Sequence, residues 1–154
     1  MQNTELRRRV RPVLDALRTL ALQGRTPVLG LRKKSCPYHS WDTVQEDPAT
    51  APGWTPFAPG DAIGGVEAHY CFRGGITAPA GCAGRHLVCL VSTGATDIWN
   101  NNNPQFLAYL NGALLCGLDV NHTEFDLTSA AAEGQTWQLG LYTCLLYTSD
   151  AADD

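Results

Sequence analysis

Phe106-Leu107-Ala108-Tyr109-Leu110-Asn111-Gly112-Ala113-Leu114-Leu115-Cys116 is the stretch on which the fold turns. Two apolar runs flank Asn-Gly, a dipeptide that accepts the positive φ angles of a type I′ turn, whose twist matches a pair of antiparallel strands. The reading is a β-hairpin, 106–110 against 113–116. Downstream, 123–127 and 136–142 are two more strand-like pieces, separated by a loop at Glu133-Gly134. Upstream, 66–73 alternates apolar and polar residues for part of its length. His86-Leu87-Val88-Cys89-Leu90-Val91-Ser92 is a short apolar run of the kind a buried strand shows. Short strands joined by turns, with no helices between them, imply a mainly β fold: an antiparallel β-sandwich of jelly-roll, galactose-binding-like type over 65–143.

Two other segments precede that body. In 4–22 the residues Leu6, Val10, Val13, Leu14, Leu17, Leu20 and Ala21 recur at steps of three and four, which places them on one stripe of a helix. Residues 1–24 therefore read as a basic, amphipathic helical arm. Pro12 removes a hydrogen bond inside that arm, so a kink or a break is expected there. From 25 to 64 the sequence reads as an irregular, Trp- and Pro-rich connection. Tryptophans such as Trp41 and Trp54 either line a sugar platform or staple a loop to the core, and stapling is the commoner use.

Charge is unevenly spread. The whole chain of 154 residues carries −4, yet the nine basic residues up to Lys34 against Glu5 and Asp15 leave +7 there, so the remainder carries −11. Such an arm suits a nucleic-acid or membrane-surface contact, or docking on an acidic surface of its own protein. Zinc-finger spacing, an RNA-binding aromatic signature and a second basic patch are all missing, so no nucleic-acid partner is expected. No run of 18 apolar residues occurs, so no membrane span is expected. Six cysteines without a C-x-x-C pair read as structural thiols in a reducing, cytoplasmic setting, in which the sequon Asn121-His122-Thr123 has no use.

The densest polar cluster is Gly117-Leu118-Asp119-Val120-Asn121-His122-Thr123-Glu124. Asp119 and His122 can form a carboxylate–imidazole pair, and these residue types also ligate metals. Asp and Asn in a loop more often bond their own backbone, so turn chemistry is the plainer reading and no metal site is assigned. A glycosidase needs two carboxylates flanking a cleft. Glu124 and Asp126 share one face of one strand and cannot straddle a glycosidic bond. The chain also lacks a G-x-S-x-G elbow and a phosphate loop, so its own residues make no case for an enzyme.

The last eleven residues, Cys144-Leu145-Leu146-Tyr147-Thr148-Ser149-Asp150-Ala151-Ala152-Asp153-Asp154, look like a translated sequencing-library adapter. On that reading 144–154 is not native and the native frame stops near Thr143.

With the hairpin and the polar cluster quoted, 103–124 resembles the N-terminal domain of cytosolic α-mannosidases of glycoside hydrolase family 38. Asn103-Pro104-Gln105 leads into the first strand, Asn-Gly stands where the family usually has Asp-Gly, and Gly-Leu-Asp-x-Asn-His follows. Gly64-Gly65, Ser92-Thr93-Gly94 and the arginine-rich arm agree with the same order. The resemblance implies a parent enzyme that removes terminal α-mannose with retention, using an aspartate nucleophile and zinc in a catalytic module that follows this domain. No residue here matches its His-x-Asp motif, so none is assigned as catalytic. The expected partners are the catalytic and later domains of the same polypeptide, an α-mannoside at the active-site rim, or a second copy in a homo-oligomer. Asp119, Asn121, His122 and Trp99 are the expected ligand or interdomain contact residues. The alternatives are an oligomerisation domain and an autonomous carbohydrate-binding module with Trp54, Trp99 or Tyr109 as its platform.

Overall fold

The computed structural model describes residues 2–38, 40–65, 67–94 and 103–145. In chain order its elements are α1 (Gln2–Ala21), β1 (Leu31–Ser35), a 3₁₀ turn (Trp41–Gln45), β2 (Thr55–Phe57), β3 (His69–Thr77), β4 (Leu87–Leu90), β5 (Gln105–Leu110), β6 (Ala113–Leu118), β7 (Glu124–Thr128) and β8 (Thr136–Cys144). A six-stranded sheet runs β2-β1-β3-β8-β5-β6, and β4 pairs with β7 in a second sheet. All pairings are antiparallel. The fold is mainly antiparallel β behind one N-terminal helix, and the large sheet is open rather than closed into a barrel.

The hairpin forms β5 and β6 with Leu110 opposite Ala113, and φ is 52° at Asn111 and 85° at Gly112. Positive φ at both central residues is what a type I′ turn requires. The turn is also anchored sideways. The Asn111 N–H donates to the Gln138 carbonyl at 2.8 Å, and the Asn111 Oδ1 accepts from the Gln138 N–H at 2.9 Å. A register shift at Ala108/Tyr109 adds one residue on the β6 side.

β3 starts later and runs further than the 66–73 reading. It pairs with β8 from His69↔Cys144 to Thr77↔Thr136, straight through Gly74 and Gly75. Positive φ at Gly65 and Glu67 turns the chain ahead of the strand. Gly74 serves close packing: a Cβ there would lie 2.6 Å from Leu31 Cδ2.

The segment 25–64 is likewise corrected, since it supplies β1 and β2 to the main sheet. Leu-Arg-Lys-Lys-Ser in β1 shows no apolar alternation, but its two lysines are half-buried, their aliphatic stems covering apolar surface while Lys34 pairs with Glu46. The Lys33 ammonium lies 5.3 Å from the Phe57 ring centre and 5.1 Å from that of Tyr70, so cation–π contact replaces part of the expected apolar packing.

Both faces of the large sheet are covered. On one, Phe72, Ile76, Phe106, Ala108, Trp137, Leu139 and Leu141 join Cys89 of β4 and Phe125 of β7 in a single apolar cluster. On the other, Cys71, Tyr109 and Tyr142 pack with Cys36, Val44 and Trp54 from the segment that crosses over them. Strand alternation explains the split: Cys71 and Phe72, or Leu141 and Tyr142, point to opposite faces. Each large side chain so buried stabilises the fold by about 1.5–3 kcal/mol.

Helix α1 continues through Pro12 without the expected break. The carbonyl at Arg8 that loses its donor lies on an exposed turn, where water can satisfy it.

Candidate functional site

The turn between β6 and β7 brings three of the expected residues together. Asp119 Oδ1 accepts from the backbone N–H of Asn121 at 2.7 Å and of His122 at 2.8 Å, and lies 3.1 Å from His122 Nδ1. The Asp119 N–H donates to the His122 carbonyl at 3.0 Å, closing the loop. These backbone donors, with the imidazole after them, hold the Asp119 carboxyl below its ordinary range. The carboxylate–imidazole pair forms, but the same oxygen is committed to the turn. Asn121 and the His122 ring face solvent. What the arrangement offers chemically is a rigid, exposed polar knuckle suited to contact rather than to proton transfer. Trp99 lies outside the described residues.

Zinc does not fit here. Among the described residues no group of three or more His, Cys, Asp or Glu side chains converges to hold a metal. No step is assigned to zinc in this chain.

Two of the residues named for the alternative sugar platform are buried, and Trp54 follows the expected stapling. Trp54 and Tyr109 are 6% and 8% exposed and belong to the core. Trp54 acts as a staple, its indole N–H donating to Glu46 Oε2 at 3.1 Å while Lys34 Nζ approaches the same oxygen at 2.6 Å. The two donors hold the Glu46 carboxyl below its usual range, the lysine contributing most.

A second cluster stands at one end of the large sheet. The Tyr38 ring lies 5.1 Å from His69, His69 stacks at 5.9 Å on Tyr142, and Tyr142 lies 4.8 Å from Trp41. Tyr142 Oη sits 2.9 Å from His69 Nδ1, and His69 Nε2 lies 4.0 Å from Cys144 Sγ. Tyr38 and Trp41 are 63% and 38% exposed, so the row of rings presents apolar faces to solvent beside polar atoms. Cys144, counted with the adapter-like tail, completes the β3–β8 ladder opposite His69. Residues 146–154 lie outside the described residues. Sequence reading singled out Trp41 but missed His69 and Tyr142. The available signal was the alternation within β8, which sends Tyr142 away from Leu141.

Apolar surface is also exposed on α1, at Val10, Val13, Leu14, Leu17 and Leu20, and on β6, at Leu114 and Leu115. No helix is long and apolar enough to cross a membrane among the described residues. In comparisons with family models, curated proteins and solved structures, nothing matches the chain.

Proposed function

We propose that this chain is a non-catalytic β-sandwich domain of jelly-roll type from the N-terminal part of a retaining α-mannosidase of the glycoside hydrolase family 38 kind, serving cytoplasmic mannoside breakdown by packing against the catalytic and later domains. The observation that carries the packing role is the exposed apolar stripe of α1, which includes Leu20 at 68% exposure. A helix of this amphipathicity gains most of its stability by burying that stripe. The mannosidase assignment rests on the resemblance of 103–124, and the knuckle of Asp119, Asn121 and His122 is the part of that stretch most available for an interdomain clasp. The arm 1–24 carries +3, five arginines against Glu5 and Asp15, which suits docking on an acidic surface, including that of a second copy.

The intact gene tests this reading. An in-frame module bearing His-x-Asp beyond codon 143 supports it, and an unrelated continuation overturns it.

The aromatic row favours a second reading, direct contact with a sugar. Exposed aromatic faces stack on the apolar faces of pyranose rings while neighbouring polar atoms take hydroxyls. Titrating mannose and mannobiose into the chain should give a saturable change in tryptophan fluorescence that a Trp41→Ala variant loses. A flat titration removes this reading and leaves the packing role standing.

A further inference from the structure

Cys36 and Cys71 stand at the centre of the core cluster beneath the 3₁₀ turn, with their Sγ atoms 3.5 Å apart. Cys36 follows β1 and its N–H donates to the His69 carbonyl at 3.0 Å, while Cys71 lies in β3 opposite Tyr142. Cys71 is thus held within a strand and Cys36 by a backbone bond to that same strand. Cys36 and Cys71 are diagonal neighbours across the two strands, and a disulfide requires their sulfurs to close from 3.5 Å to about 2.0 Å.

We propose that Cys36 and Cys71 form a dithiol modification site whose substrate is a small hydroperoxide. The Cys36 sulfur attacks one peroxide oxygen and the O–O bond breaks. This leaves a sulfenic acid on Cys36 and releases water, or an alcohol from an organic hydroperoxide. The Cys71 sulfur then attacks the Cys36 sulfur, the S–O bond breaks and a water leaves. Two thiols and hydrogen peroxide give one disulfide and two waters; the thiols lose two electrons and two protons, and the peroxide takes them.

The order follows from the surroundings. Cys36 keeps 8% of its surface, whereas Cys71 has none. Burial raises both thiols, but Cys36 is eased by its contact with Cys71 and by the nearby Lys34 charge. Cys71 is raised further, by burial first and then by Cys36 itself. Cys36 is therefore the sulfur that reacts first.

The bond would tie the 36–54 segment to β3. Cys36 lies two residues before Tyr38, and Cys71 two residues after His69. Oxidation thereby fixes both sides of the aromatic row at once. This proposal is independent of either functional reading above.

The full chain is reduced, freed of reductant, exposed to one equivalent of hydrogen peroxide under native conditions, and then alkylated in denaturant. The expected result is loss of two alkylatable thiols, a cross-linked peptide containing Cys36 and Cys71, and a Tm raised by roughly 5–10 °C that dithiothreitol reverses. Recovery of Cys36 and Cys71 as alkylated peptides overturns the proposal, as does a link from either one to another cysteine. A Cys71→Ala variant, small enough to keep the site packed, should accumulate a Cys36 sulfenic acid trapped by dimedone. Dimedone label elsewhere and none on Cys36 overturns the order of attack.

Discussion

Gly140 in β8 faces Val44 of the 3₁₀ turn, which is fully buried. A Cβ at 140 would lie 2.9 Å from Val44 Cγ2 and 3.4 Å from Tyr109 Cβ, so Gly140→Ala forces the crossing segment off the sheet. The expected cost is about 1–3 kcal/mol, read as a lower urea midpoint with an unchanged slope. Asp119 gives a test of the opposite kind, at the surface. Its folded carboxyl titrates below the unfolded value of about 3.9 because backbone donors favour the charged form. Its contribution is therefore complete above that value and disappears as pH falls through the lower, folded one. Asp119→Ala should lower the midpoint at pH 7 more than Asp119→Asn, which keeps an acceptor, and the difference from wild type should shrink in acid. Both residues were unequally legible. Asp in Asp-x-Asn-His reads locally as turn chemistry, because its partners are two and three residues away. Val44 over Gly140 joins positions far apart in sequence and leaves no periodic trace.

At the level of single elements, the hairpin was legible because its whole instruction is local: two apolar runs and a dipeptide fitted to positive φ. β1 was not, because three of its five residues are charged and its stability comes from pairing with β2 and β3 on both sides. The sheet supplied what the local pattern withheld. Helix α1 shows a similar override at Pro12, whose penalty of about 3 kcal/mol in a helix interior does not end the element. Pro12→Ala in the peptide 1–24 should raise its helical circular dichroism, and an unchanged spectrum would refute this. On β6, Leu114→Lys combined with Leu115→Glu should reduce self-association while moving the unfolding free energy by no more than about 0.5 kcal/mol, since both side chains are exposed. A larger loss of stability would mean that these leucines are packed.

Across the molecule, the division into a basic arm and an acidic body was readable directly from residue counts, whereas the sheet order was not. Nothing in the sequence of β8 announces that it lies between β3 and β5. The polar knuckle was legible as a cluster, while the aromatic row was not, because Tyr38, Trp41, His69 and Tyr142 meet only once β1, β3 and β8 are side by side. Deleting residues 1–24 should leave the body's unfolding midpoint nearly unchanged. It should also abolish association detected by light scattering. In the intact chain that association should weaken as salt rises, because the attraction between arm and body is screened over about 10 Å at 0.1 M ionic strength. An unchanged mass on deletion refutes the docking role of the arm.

The place of β8 has a consequence for the order of events during synthesis. It is the last of the described elements, yet it forms the ladders that join β3 on one side to β5 on the other. Contacts closed across such long stretches of chain form slowly, since the loop entropy is lost before the contacts compensate for it. On the ribosome the β5–β6 hairpin and the β1–β2 pair can form early, but they remain separate pieces until residues 136–144 have emerged. Completion of the large sheet is a single late event, and until then the edges of β3 and β5 are open to any other strand that reaches them.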